Sequence, residues 1–188
     1  MQPDCLNCPE GYYCPDPVSQ IHPGNFDDFL CPEGHWCGLN TETDTANPCP
    51  PGTYNPIKGA RNKSYCLPAP PGYYIADAGQ SLETSLQLCT AGYFCMLGSY
   101  RADPDGSTRA TWQTTDLVTH TLSYQYVGGQ CTEGHYCPEG APKEILCRAG
   151  YVCDEPGLTD VSSDKLCPAG SYCPQGTGSV SQSIEDCP

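Results

Sequence analysis

The chemistry open to this sequence is mainly that of its cysteines, which number 16 in 188 residues. Six pairs are spaced as Cys-x5-Cys, beginning with Cys8 and Cys14. Thiols at this density are typical of disulfide scaffolds in an oxidising compartment. We therefore expect a secreted or cell-surface protein in which all of them are oxidised, namely Cys5, Cys8, Cys14, Cys31, Cys37, Cys49, Cys66, Cys89, Cys95, Cys131, Cys137, Cys147, Cys153, Cys167, Cys173 and Cys187.

Other chemistry has little support in the sequence. A zinc site needs Cys-x2-Cys or closely spaced Cys and His, and the single such pair, Cys5 and Cys8, has no second half. The sequence contains no nucleophile elbow, phosphate loop or His-Glu-x-x-His motif. Eight basic residues against 22 acidic ones disfavour nucleic-acid binding. We expect no enzymatic activity, no cofactor and no metal site.

The cysteines belong to a motif, Cys-Pro-x-Gly-x-Tyr-Cys, whose seven positions recur eight times with some substitutions. Successive copies start mostly about 20 residues apart, a period typical of stacked repeat arrays. We expect small disulfide-rich tandem repeats of short β-hairpins and turns in an elongated, solenoid-like rod with little or no helix. Repeats 1 to 8 start, in order, at Cys8, Cys31, Cys49, Ala69, Cys89, Cys131, Cys147 and Cys167.

Two further motif positions have predictable roles. Position 4 is glycine in all eight copies, which indicates a positive φ or a close backbone approach to a neighbouring repeat. Position 6 is aromatic in seven copies, and these rings are large enough to cover a disulfide. Stacking of exposed tyrosines on carbohydrate is the alternative role for position 6.

The array is interrupted once. Residues 1–95 hold the repeats starting at 8, 31, 49, 69 and 89, and residues 131–188 hold those starting at 131, 147 and 167, with the next beginning at 187. Between them, residues 96–130 form a β-rich insertion, and Thr111 to Val127 predict an inserted strand or hairpin. Because Cys187 begins a motif and Cys5 precedes one, we expect the array to continue in a longer chain or an end-to-end partner.

Cysteine spacing allows two connectivities. Each motif can close on itself, with Cys49 pairing with Cys66, or the second cysteine of one repeat can pair with the first of the next. Asn55 and Ala69 replace both partners of one between-repeat bridge, and we therefore expect a between-repeat disulfide ladder. Its bridges are Cys5–Cys8, Cys14–Cys31, Cys37–Cys49, Cys66–Cys89, Cys95–Cys131, Cys137–Cys147, Cys153–Cys167 and Cys173–Cys187.

Composition adds two expectations. Leu, Ile, Val and Phe total 27 residues, so the chain has little material for a hydrophobic core, and covalent bridges must supply much of the order. Asn62-Lys63-Ser64 is an N-glycosylation sequon in the loop between repeats 3 and 4. We expect a glycan on Asn62. No apolar run approaches the roughly 20 residues that span a bilayer.

The motif copies at Cys8 to Cys14 and Cys167 to Cys173 resemble the ephrin-receptor-like cysteine-rich repeats of extracellular proteins. Asn55, Ala69 and Ile75 depart from that pattern. The resemblance implies a receptor ectodomain or a fibrous surface protein, including protist surface proteins and the mastigonemes of flagellar hairs. We expect a structural segment of an extracellular glycoprotein filament that associates end to end; the alternative is a receptor or adhesion stalk that binds a protein ligand.

Overall fold

The computed structural model describes residues 8–15, 26–81, 85–115, 122–162, 165–179 and 185–186. The expected fold class is confirmed: these residues form short antiparallel strand pairs linked by turns, and what helix they contain is 3₁₀, as in the turns Phe26–Phe29 and Lys63–Tyr65. Cys5 and Cys187 lie outside the described residues. None of the described helices is long and apolar enough to cross a membrane.

Each two-residue hairpin joins motif positions 5 and 6 of one repeat to the residues just before the next. β1 pairs with β2, β3 with β4, β9 with β10 and β11 with β12, all antiparallel. The strands are β1 Thr53–Tyr54, β2 Leu67–Pro68, β3 Tyr73–Tyr74, β4 Gln87–Leu88, β5 Tyr93–Cys95, β6 Arg109–Thr115, β7 Leu122–Tyr126, β8 Gly128–Gln130, β9 His135–Tyr136, β10 Ile145–Leu146, β11 Ser171–Tyr172 and β12 Glu185–Asp186.

The insertion contains the hairpin that its sequence predicts. β6 and β7 pair antiparallel, with a register shift between Arg109 and Gln113. The chain then returns to its repeat, because β8 pairs with β5 at Tyr93 and Gln130. Repeat 5 therefore keeps its own hairpin, and the added residues lie between its two strands.

The chain forms two compact units. The first comprises Met1–Ala69 and Ile75–Leu86, and the second comprises Pro70–Tyr74 and Gln87–Pro188. Among the described residues, the buried interior consists largely of half-cystines with a few small apolar residues such as Ala60, Ala141 and Val127. Disulfides thus occupy the place of a conventional apolar core.

Candidate functional site: the repeat junction

The disulfides close within repeats, and the predicted between-repeat ladder is wrong. Six bridges join motif positions 1 and 7 of the same repeat, with Cα–Cα distances of 5.7 to 6.0 Å. They are Cys8–Cys14, Cys31–Cys37, Cys89–Cys95, Cys131–Cys137, Cys147–Cys153 and Cys167–Cys173. Since each cysteine forms one disulfide, these bridges and Cys49–Cys66 exclude all eight bridges of the ladder.

The physical reason is the turn at position 4, which reverses the chain and brings positions 1 and 7 to disulfide distance. In repeat 3, where Asn55 replaces the second cysteine, Cys49 bonds instead with Cys66 across 17 residues, at a Cα–Cα distance of 5.5 Å. Cys66 is therefore the partner of Cys49, and the expected Cys66–Cys89 bridge is not formed. The alternative pairing from the sequence describes repeat 3 correctly.

Backbone hydrogen bonds, not disulfides, connect one repeat to the next. Between repeats 6 and 7, Gly134 N donates to Cys153 O, and Cys147 N donates to Gly134 O, both at 2.8 Å. Cys137 N donates to Leu158 O at 2.8 Å, and Gly157 N donates to Cys131 O at 2.8 Å. The motif glycine and both half-cystines thus bond the following repeat through main-chain atoms.

The same four hydrogen bonds recur at six junctions, three in each compact unit, with lengths of 2.8 to 3.0 Å. In one of the four bonds, a residue such as Gly157 donates to the first half-cystine of the preceding repeat. At these six junctions the donor lies nine or ten residues after the start of its own motif and has a positive φ. We call this residue the second glycine, although it is asparagine in repeat 2. At the six junctions these donors are Asn40, Gly59, Gly79, Gly140, Gly157 and Gly176.

The motif glycines meet the prediction made for position 4. All eight have φ between 79° and 89°. A Cβ on Gly134 would lie 2.6 Å from the carbonyl oxygen of Gly176, two repeats further along, and one on Gly11 would lie 2.7 Å from that of Gly59. Repeat n therefore contacts both repeat n+1 and repeat n+2 within a compact unit. The sequence carries a signal for the second contact, a glycine nine or ten residues after most motif starts, which the expectations from the motif did not include.

Repeat 3 replaces a sulfur by a buried amide. Asn55 is fully buried, and its Nδ2 donates to His35 O and Ile57 O, both at 2.9 Å, while its Oδ1 accepts from Ile57 N at 3.2 Å. Repeat 4 replaces its whole disulfide by Ala69 and Ile75, which are 0% and 1% exposed. Both substitutions keep the junction hydrogen bonds, since Gly34 N donates to Asn55 O and Gly52 N to Ile75 O.

The expected covering of disulfides by aromatic rings holds at one junction. Phe94, at position 6 of repeat 5, packs against the buried cluster of Cys131, Cys137 and Ala141 in repeat 6. Its other side meets the insertion, because the rings of Phe94 and Tyr126 lie 6.4 Å apart, edge to face. The same ring therefore contacts the next disulfide and the end of β7.

The Asn62 sequon lies between β1 and β2, where residues 61–64 are exposed although Asn55 and Ala60 earlier in the same loop are buried. Asn62 caps the 3₁₀ turn Lys63–Tyr65: its Oδ1 accepts from Ser64 N at 3.0 Å and from Ser64 Oγ at 2.5 Å. Cys66 N donates to Lys63 O at 3.0 Å, and the Cys49–Cys66 disulfide closes the loop. The sequon residues are thus accessible and conformationally fixed.

Asp105 organises a second polar turn, in the insertion. Its Oδ1 accepts from Ser107 Oγ at 2.6 Å, Ser107 N at 2.9 Å and Thr108 Oγ1 at 3.0 Å. The Ser107 hydroxyl and amide, followed by the Thr108 hydroxyl, lower the pKa of Asp105 to about 2. Across the described residues, no group of three or more His, Cys, Asp or Glu side chains is placed to hold a metal ion.

The arrangement is that of a cysteine-rich repeat protein whose described chemistry is structural. No protein-family model matches the chain. Over 111 residues it is 27% identical to a protein described as ABC transporter G family member 25, from Oryza sativa subsp. japonica. That alignment covers 51% of this chain and 10% of the relative, so this chain matches about a tenth of the relative's length.

Proposed function

We propose that the chain is a structural segment of an extracellular glycoprotein filament or surface fibre. The observation that carries the proposal is the junction: the same four main-chain hydrogen bonds, 2.8 to 3.0 Å long, recur at six contacts, three in each compact unit. Because these bonds use backbone atoms, any further motif of the same spacing can add to the array. A structural role, as an extended array built from one repeated contact, is the function that this geometry supports best.

The disulfides support an extracellular location for that array. Seven bridges among the described residues of a 188-residue chain are typical of proteins that mature in an oxidising compartment. The formal net charge of −14 would keep the surface hydrated and disfavour unspecific lateral aggregation. We propose that Asn62 adds an N-linked glycan to this surface.

Electron microscopy of the native material tests the filament. We expect regular fibres in which the repeat array runs continuously, by end-to-end contact of copies or within one longer chain. Monodisperse particles without fibres, from native material that has not been reduced, would contradict the proposal.

The second candidate is a cysteine-rich stalk within a larger cell-surface protein, such as a receptor or adhesion protein that binds a protein ligand. The similarity to a small part of a much longer protein, whose description is ABC transporter G family member 25, favours this candidate. Affinity capture with the oxidised chain separates the two. A stoichiometric protein ligand supports the stalk, whereas capture of further copies of the array supports the filament.

A further inference from the structure

The basic residues of this acidic chain are unevenly placed. Three of the eight, Lys58, Arg61 and Lys63, lie within six residues, and no acidic residue occurs from Thr45 to Ala76. The rest of the chain has five basic residues against all 22 acidic ones, a formal net charge of −17. The loop of residues 55–66 is therefore a positive patch on a strongly negative molecule.

All three side chains are exposed, and the ion pairs found among the described residues involve other lysines and arginines. A cluster of basic side chains to which no ion pair is assigned attracts an anionic partner at distances up to about 10 Å at moderate salt. We call residues 58–63, which carry these three side chains, the basic loop.

The backbone of the basic loop is held in place from several sides. Gly59 N donates to Cys31 O at 2.8 Å, and Ala60 O accepts from Cys37 N at 2.9 Å. The stem of Arg61 lies against repeat 1, since its Cγ is 3.4 Å from where a Cβ of Gly11 would stand. A patch that is ordered before binding loses less conformational entropy when a partner docks.

We propose that the basic loop is a docking site for the acidic surface of a second copy of this chain. The copy supplies the complementary charge itself: Glu133, Glu139 and Asp160 are exposed in its second compact unit, in a part of the chain rich in carboxylates. Such a contact joins two different surfaces, so it can propagate from copy to copy and bring arrays together side by side.

This lateral contact does not depend on the proposed end-to-end assembly. The repeat junction uses backbone hydrogen bonds and buried groups, which salt screens little, whereas contacts between exposed charges weaken as salt rises. Salt dependence therefore distinguishes failure of the docking site from failure of the filament.

The first experiment measures self-association of the oxidised chain, produced without glycan, by sedimentation velocity at about 20 mM and about 500 mM NaCl. We expect association at the lower salt that is lost at the higher one. The double variant R61E/K63E should weaken association about tenfold or more, because it places like charges opposite one another. The comparison variant K143E/R148E changes the net charge equally, but at two exposed positions in the carboxylate-rich part of the second compact unit, so it should not weaken association.

Zero-length carbodiimide cross-linking of a mixture of ¹⁴N and ¹⁵N chains locates the contact. We expect mixed-isotope peptides that join Lys58 or Lys63 to acidic residues of the other copy. A chain that stays monomeric at low salt overturns the proposal, as does equal weakening by the comparison variant. Binding of the basic loop to an anionic polysaccharide such as heparin, without self-association, also overturns it and identifies a polysaccharide site in its place.

The sequon allows a second comparison on the same loop. Asn62 lies between Arg61 and Lys63, so an N-linked glycan there would hinder the approach of an acidic surface. In a glycosylating host, N62Q should associate more strongly than the wild-type chain that carries the glycan. Equal association of the two, with the glycan verified by mass spectrometry, would contradict docking at this loop.

Discussion

At the scale of single residues, the motif glycines matter for two separable reasons. A left-handed backbone is unfavourable for any residue with a Cβ, by about 1 to 2 kcal/mol. At Gly134 the methyl group would also meet the carbonyl oxygen of Gly176 at 2.6 Å. At Gly150, which has φ of 86°, a Cβ would have no described atom within 4 Å apart from its chain neighbours.

We therefore predict that Gly134→Ala destabilises the oxidised chain more than Gly150→Ala does. The second variant should cost about 1 kcal/mol from backbone conformation alone, and the first about 2 kcal/mol more, because the backbone at the contact must move. Chemical denaturation of both variants measures the difference. Equal losses would show that the contact between repeat n and repeat n+2 adds no constraint.

Asn55 shows how one buried side chain substitutes for half of a disulfide. Asn55→Ala would leave the carbonyl of His35 and the amide and carbonyl of Ile57 without the side-chain partners that they have now. We predict a loss of about 2 kcal/mol in unfolding free energy, because partly buried backbone groups lose a hydrogen-bond partner and a fully buried side chain is truncated. Asn47→Ala, at a half-buried position, is the control and should cost far less.

Asp105 gives the molecule an acid-sensitive turn. The folded pKa of about 2 lies below the ordinary 3.8. The hydrogen bonds to the ionised carboxylate therefore stabilise the folded chain above pH 4, and this stabilisation is lost as the pH falls from about 4 towards 2. Carboxyl NMR titration should follow this value directly. Ser107→Ala should raise the pKa of Asp105 towards its ordinary value; an unchanged titration would show that the serine hydroxyl is not the main cause.

At the scale of elements, the prediction of the repeat pattern was correct and the prediction of its cysteine pairing was wrong. Motif glycines, turn-rich hairpins and the β-rich segment from Thr111 to Val127 followed from residue type and spacing. The replacement of cysteine by Asn55 and by Ala69 suggested one missing bridge between repeats, but the two replacements have different structural roles. Asn55 forms a hydrogen-bonded substitute within repeat 3, and Ala69 belongs to the apolar substitute of repeat 4.

A sequence signal favoured the correct pairing. The Cys-x5-Cys spacing is constant in six repeats, whereas the spacing between repeats varies from 16 to 42 residues. A bridge that fixes one turn needs a fixed separation, and a junction made of backbone hydrogen bonds tolerates loops of any length between its partners. The junction itself has no side-chain signature beyond its glycines, because its hydrogen bonds join main-chain atoms that every residue type carries.

Repeat 4 can be used to test the equivalence of a disulfide and an apolar pair. We predict that Ile75→Cys alone destabilises the chain by about 1 to 3 kcal/mol, because buried methyl groups are lost. The double variant A69C/I75C should form a disulfide and recover about 2 kcal/mol through loop closure. Mass spectrometry and denaturation with and without reductant measure both effects. A double variant that stays reduced would show that repeat 4 departs from the geometry of its neighbours.

At the scale of the whole molecule, stability is predominantly covalent. In the chain-entropy model each short bridge contributes about 2 kcal/mol and the Cys49–Cys66 bridge about 3 kcal/mol, on the order of 15 kcal/mol together. That sum equals or exceeds the net stability of a typical domain, which is about 5 to 15 kcal/mol.

Complete reduction should therefore unfold the chain at neutral pH. Circular dichroism before and after treatment with excess thiol reductant follows the change, and alkylation with mass spectrometry verifies that every bridge is open. A native spectrum in the fully reduced chain would mean that the junction hydrogen bonds and small apolar groups suffice without the bridges.

Closing each bridge within its own repeat also decides how the chain responds to tension. A disulfide between cysteines six residues apart prevents the residues between them from extending when the chain is pulled. The chain can then lengthen only through the residues that lie outside the bridged segments. Reduction of all seven would release roughly 140 Å of additional extended length, given separations of six and 17 residues. Among the described repeats, repeat 4 is held by Ala69 and Ile75 without a bridge of its own. It can therefore unravel completely under load and lengthen the chain before any covalent bond breaks.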